Sequence, residues 1–199
     1  LESRGVKIVE YAKGDDADRA AKIKQAATDN EALFSRAPAP DTPEFRKWFG
    51  DSKVVDAEGR PLVVYHGTDN PPAEFAERGT NRNGDEYGGG IYVTNAPAYA
   101  EIFGRTVMPL YVRAERVIDA SAIPGKLMGE PAKRWAMQNG YDAIRSRKGA
   151  FGGVEAWQMV VFRPEQIKSA TGNRGTFDPT NPDIRMSRGE GSSTADAVV

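Results

Sequence analysis

Cysteine is absent from the 199 residues, and histidine occurs once, at His66. The first absence excludes disulfides and thiolate metal sites. The second excludes a histidine-rich metal centre, so no metal cofactor is expected. Long apolar runs are missing too, and no stretch approaches the roughly 20 residues that span a bilayer. The N-terminal residues lack the apolar centre of a secretory signal. Charge of neither sign dominates: 27 Lys and Arg stand against 28 Asp and Glu, for a net charge of −1. Nothing global therefore recruits nucleic acid or a membrane. The expectation is a cytoplasmic location without a membrane partner. Metal-ligand spacings, a P-loop, a dinucleotide fingerprint and a nucleophile elbow are likewise missing.

What is present suits one globular domain with appendages: 39% of residues are hydrophobic and 28% charged. Residues 1–40 read as a helical appendage and linker. Apolar residues at Ala20, Ile23, Ala27 and Leu33 give a thin helical face, and Arg36-Ala37-Pro38-Ala39-Pro40 favours extended chain. Residues 41–184 read as the folded domain. Apolar density collapses beyond Gly172, and residues 185–199 are expected to be a disordered tail.

Within the domain, Thr42-Pro43-Glu44 starts a helix carrying Phe45, Trp48 and Phe49 and ending at Gly50. Val54-Val55 and Leu62 to Tyr65 flank Asp56-Ala57-Glu58-Gly59, where a hairpin turn is expected. The stretch from Val63 to Phe103 organises the rest. Its first β-branched run stops at His66-Gly67-Thr68, and its second is Gly90-Ile91-Tyr92-Val93-Thr94. Glycine beside polar and aromatic residues predicts a cleft, because a missing Cβ lets a ligand approach the backbone. The polar stretch from Asp69 to Glu86 between the runs is expected to be a lid or binding loop. Further strands are expected at Val107–Val112, Val117–Ile118, Tyr141–Ile144, Gln158–Phe162 and Lys168–Ala170. Helices are expected after Thr94 and over Pro131–Gln138. A basic, glycine-rich loop is expected from Arg145 to Gly153. Many short strands with scattered short helices predict an α+β fold with a split or sandwiched antiparallel sheet.

Taken as a cleft, a histidine, a Gly-Thr pair and nearby aromatics can grip a flat polar ring. The same residues also fit a bland reading, in which His66, Tyr92 and Phe103 belong to the core.

Val64-Tyr65-His66-Gly67-Thr68 with Gly90-Ile91-Tyr92-Val93-Thr94 resembles the first two motifs of diphtheria-toxin-like ADP-ribosyltransferases. That class has a His-Tyr-Glu triad and includes the poly(ADP-ribose) polymerases. The closer resemblance is to the ADP-ribosyltransferase domain of phage and mobile-element polyvalent proteins. It extends through Val160–Asn173 and Gly175–Pro179 and covers roughly Phe45 to Ile184. The resemblance implies NAD as substrate. It implies that His66 bonds a ribose hydroxyl, Gly67 binds the nicotinamide carboxamide through its backbone, and Thr68 sits beside the adenine ribose. Tyr92 would stack on the nicotinamide ring, and Phe103 would close its other face. The loop holding Arg145, Arg147, Lys148 and Phe151, with Glu155 beyond it, would contact the acceptor, a host protein or nucleic acid.

One departure stands out. The family's catalytic glutamate position holds Gln158, in Trp157-Gln158-Met159-Val160-Val161-Phe162. An amide accepts a ribose hydrogen bond but carries no charge. Either this is a natural weak or inactive variant, or a Glu-to-Gln change was made to trap a complex. Glu155 lies an odd three residues away, which puts it on the opposite strand face. The expected activity is mono-ADP-ribosyl transfer. The rivals are an NAD glycohydrolase and a degenerate domain that binds NAD or a partner without catalysis; a nucleic-acid-binding module using the basic loop is disfavoured by the near-neutral charge.

Overall fold

The computed structural model describes residues 40–72, 75, 86–171 and 177. The expected N-terminal helix, linker and tail, and most of the Asp69–Glu86 loop, lie outside the described residues. Three α-helices and seven strands are described. They are α1 (Pro43–Phe49), β1 (Val64–Thr68), β2 (Ile91–Thr94), α2 (Pro97–Ala100), β3 (Thr106–Val112), β4 (Val117–Asp119), α3 (Gly129–Gln138), β5 (Ala143–Phe151), β6 (Val154–Val161) and β7 (Ile167–Ser169).

The strands form one seven-stranded sheet in the order β4-β5-β6-β2-β1-β3-β7. Every pairing is antiparallel except β4 with β5. β1 pairs with β3 from Val64 to Thr68, and β2 pairs with β6 from Ile91 to Thr94. Between β1 and β2 there is a single ladder pair, Tyr65 with Thr94. The sheet therefore consists of two well-paired halves that part company beyond that residue. This is the split α+β architecture expected from the strand pattern.

Alternation along the strands explains where the core sits. Val64, Ile91, Val93, Leu110, Val112, Met159 and Val161 pack together with Val54 and Phe75 in one buried cluster. Val160, Phe162 and Ile144, one position out of step, pack instead with Tyr87, Ile118 and α3 residues Ala132 and Ala136. Tyr111, between Leu110 and Val112, joins Phe45, Trp48, Phe49 and Phe177. One face thus carries a core that runs across the split, while α3 and α1 bury separate parts of the other strands' alternate positions.

Helix α1 has the terminal chemistry its sequence demands. The Thr42 hydroxyl accepts from the Phe45 amide at 3.1 Å, Pro43 opens the helix, and Gly50 closes it at φ +53°. Buried Gln166 ties three chain segments together. Its side-chain oxygen accepts from the Phe162 and Arg163 amides, and its nitrogen donates to the Arg113 and Asp142 carbonyls, all at 3.0–3.1 Å.

Two expectations need correction. The basic stretch from Arg145 is not a loop: strand β5 runs on to Phe151, bulges between Arg147 and Gly149, and turns at Gly152-Gly153 into β6. Pairing with β6 supplies the order that its charged sequence conceals. The hairpin around Asp56–Gly59 is reduced to one bridge, Val55 with Pro61, because the Asp56 carboxylate binds the Glu58 and Arg60 amides and makes a compact turn.

Phe177 is 2% exposed and meets Phe45 edge-on at 4.9 Å. Phe177→Ala should therefore cost about 3–5 kcal/mol, read as a lower midpoint in urea unfolding. A loss under about 1 kcal/mol would show that this segment lies outside the cooperative unit.

Candidate active site at the split

The opening between β1 and β2 is held by a side chain. His66 Nδ1 lies 2.7 Å from the Tyr92 carbonyl oxygen. A carbonyl only accepts, so Nδ1 carries the proton. In the neutral ring Nε2 is then left as an acceptor. Burial pushes the imidazole pKa below its ordinary value, and the bond to Tyr92 opposes that shift only in part. Phe75 meets the ring edge-on at 5.0 Å.

Gly67 follows, and its missing side chain has a structural cause. A Cβ there would fall 1.7 Å from the Ala100 carbonyl oxygen, so α2 sits directly on β1. Gly104 is pressed in the same way on Thr68, where a Cβ would fall 2.1 Å from the Thr68 carbonyl carbon. These contacts bring Phe103 beside the end of β1. The Phe103 ring meets Tyr99 edge-on at 5.3 Å, and Tyr99 meets Phe151 at 4.6 Å. Thr68 is occupied locally: its hydroxyl accepts from the Asn70 amide at 3.1 Å.

Tyr92 is anchored at its polar end. Its hydroxyl donates to the Gly88 carbonyl at 2.8 Å and accepts from the Tyr87 amide at 3.0 Å. The glycine turn is fixed in its turn by α3, since Glu130 accepts from the Gly89 amide at 2.6 Å and Lys133 donates to its carbonyl. The expectation that these glycines clear space for a ligand needs correction. A Cβ at Gly90 would fall 2.5 Å from Val160 Cγ2, and one at Gly88 would fall 2.9 Å from Lys133 Cβ. Protein fills both places.

Gln158 is 7% exposed and lies between Thr94 and Ser146 in the ladders. Ser146 Oγ is buried beside the Tyr87 phenol. Residues expected to meet an acceptor divide between environments. Arg145, Arg147 and Glu155 line a concavity with Asp119 and Trp157, while Phe151 packs on Tyr99. Alternation puts Arg145 and Arg147 on the face opposite their neighbour Ser146, and Glu155 on the face opposite Gln158.

Lys148 forms an ion pair with Glu86. The Glu86 charge also helps to raise the Tyr87 and Tyr99 phenol pKa values, after burial. Glu86 thus stands beside the aromatic residues of the site. Sequence reasoning passed it over as the last residue of a polar stretch, and no local signal marked it. Among the described residues, no group of three or more His, Cys, Asp or Glu is placed to hold a metal. No described helix is long and apolar enough to cross a membrane.

This geometry coincides with a recognisable stretch of sequence. Residues 56–134 match the family described as ADP-ribosyltransferase in polyvalent proteins. The match contains His66, Gly67, Thr68, Tyr92 and Phe103 and ends before β5 and β6. It supports a general ADP-ribosylation function with NAD as the substrate. No curated protein matches the chain.

The lone imidazole of this ADP-ribosyltransferase-like chain makes its protonation readable. Nitrogen-detected NMR should show the Nδ1-protonated tautomer at neutral pH, with a midpoint below about 6.5. As pH falls through that value the unfolded chain takes its proton first, so His66 subtracts stability progressively until the folded midpoint is passed. A midpoint above 6.5 would contradict the burial seen here.

Proposed function

We propose that the domain is a mono-ADP-ribosyltransferase. It breaks the nicotinamide–ribose bond of NAD and joins the ribose C1′ to a nucleophile on a host macromolecule, releasing nicotinamide and a proton. The observation that carries this reading is the split itself. Inside the family-matched stretch, β1 and β2 separate just where His66 and Gly67 stand, and the imidazole takes the Tyr92 carbonyl.

Each residue then has a task that suits its chemistry. Neutral His66, donating through Nδ1, offers Nε2 to a ribose hydroxyl. Gly67, on the stretch of β1 that has left β2, offers its amide and carbonyl to the carboxamide. Thr68 stands beside the adenine ribose. Tyr92 and Phe103 hold the two faces of the nicotinamide ring while its bond to ribose lengthens. Lys148 and Phe151 of the β5–β6 hairpin lie towards the acceptor. NAD binding relies on neutral contacts, so it needs no carboxylate.

The chemical step is different. Positive charge grows on the ribose only as nicotinamide departs, and a fixed negative group answers it best at that moment. Gln158 holds the position for that group and supplies only a dipole. Its amide accepts from the 2′-hydroxyl, which keeps ground-state affinity while turnover is slow. That same substitution favours, as a second reading, a domain that binds NAD without catalysis.

The test uses labelled NAD and a host-cell lysate, comparing the chain with its Gln158→Glu variant. Turnover should rise by about 10²–10³, with NAD affinity by calorimetry nearly unchanged. Equal measurable rates would assign the charge to another acid. Glu86 would come before Glu155, which faces away from Gln158. NAD binding without turnover in either form would establish the non-catalytic reading, and free ADP-ribose as the sole product would establish a glycohydrolase.

A further inference from the structure

Across the sheet from Gln158 lies a concavity of about 460 Å³, lined by Asp119, Arg145, Arg147, Glu155, Ala156 and Trp157. Its size is that of a pocket for one small-molecule-sized body. The ladder sets its layout. Arg145 is flanked by Asp119 on β4 and Met159 on β6, and Arg147 stands directly across from Trp157. The two arginines are two positions apart on one strand, roughly 7 Å, and so share a face. Both are exposed, and neither forms an ion pair among the described residues. Asp119 is partly committed elsewhere, since one of its oxygens accepts from the Ser121 amide at 3.0 Å and hydroxyl at 2.6 Å. Half-buried Trp157 packs against the core cluster and also contributes to the wall.

We infer that this concavity binds single-stranded nucleic acid, with a base on Trp157 and its flanking phosphates on Arg145 and Arg147. Three chemistries meet here, and a nucleotide unit presents the counterpart of each. Phosphate oxygens suit the guanidinium pair, and geometry favours arginine for that contact. An aromatic wall suits a base of any identity. The Glu155 carboxylate, exposed at the rim, accepts from exocyclic base amines. In a duplex those amines are paired and the ring faces stacked, so a single strand is the form that can use all three. A phosphopeptide satisfies the arginines alone, and its phosphate group brings no base for Trp157 or exocyclic amine for Glu155. This inference does not depend on NAD chemistry. The near-neutral chain has no general attraction for nucleic acid, so binding here must come from the local site.

The experiment is fluorescence anisotropy with a labelled mixed-sequence single-stranded DNA of about 10 nucleotides, using the full chain. Binding should weaken with salt, and the Arg145→Ala/Arg147→Ala double variant should lose about tenfold or more in affinity and flatten that salt dependence. Trp157→Phe should retain most of the affinity and Trp157→Leu should lose it. Arg134→Ala, an exposed arginine on α3, should bind like the parent. Absence of binding at low salt, equal loss in the Arg134 variant, or full affinity in the double variant would each overturn the inference. So would a phosphotyrosine peptide, a free mononucleotide or duplex DNA binding as tightly as the strand. Melting temperatures of all variants, expected to stay near the parent for the exposed arginines, separate loss of the site from loss of the fold.

Discussion

The contact between the His66 imidazole and the Tyr92 carbonyl governs the middle of this molecule. Two antiparallel strands that start to pair at Tyr65 and Thr94 would ordinarily continue, since every unpaired backbone group in a sheet interior is costly. Here a side chain takes the carbonyl that a continued ladder would use. The strands then diverge without leaving that oxygen unsatisfied, and both halves keep their other partners intact. The same bond sets the tautomer of the imidazole and leaves Nε2 as the acceptor.

Around that opening, glycines act as contact points. Gly67 lets α2 rest on β1, Gly104 lets the following turn cross Thr68, and Gly90 lets β2 begin against β6. Each removes a side chain where two backbones or a backbone and a core residue meet. The candidate site is shaped indirectly, because close packing at these glycines sets where Tyr92 and Phe103 lie. Rigid elements, more than flexible loops, place these described residues.

Much of this was legible beforehand. β-branched runs around Val64, Ile91 and Val160 announced strands, and Thr42-Pro43-Glu44 with Gly50 bounded a helix almost to the residue. His66, Gly67 and Tyr92 drew attention through the joint motif resemblance, since each taken alone also fits a structural role. Strand β5 was legible only at its start, where a strand was expected at Tyr141–Ile144. Arg145, Ser146, Arg147 and Lys148 carry no apolar alternation, and they are ordered by the ladder to β6, a partner the local sequence does not reveal. The role of glycine was misjudged for a related reason: a missing Cβ signals proximity, and sequence alone does not say whether the neighbour is ligand or protein. Glu86 escaped notice because its importance comes from Lys148, 62 positions away.

Strand β6 outruns β2, and Asn95 deals with the excess. Its side-chain oxygen accepts from the Trp157 amide at 2.9 Å, and its nitrogen donates to the Glu155 carbonyl at 3.0 Å. One amide side chain thereby imitates the donor and acceptor of a further strand residue. Without it, that stretch of β6 would present open hydrogen-bonding groups to any passing extended chain, a template for edge-to-edge association. That edge is closed by a single asparagine, one residue past the end of the strand it prolongs.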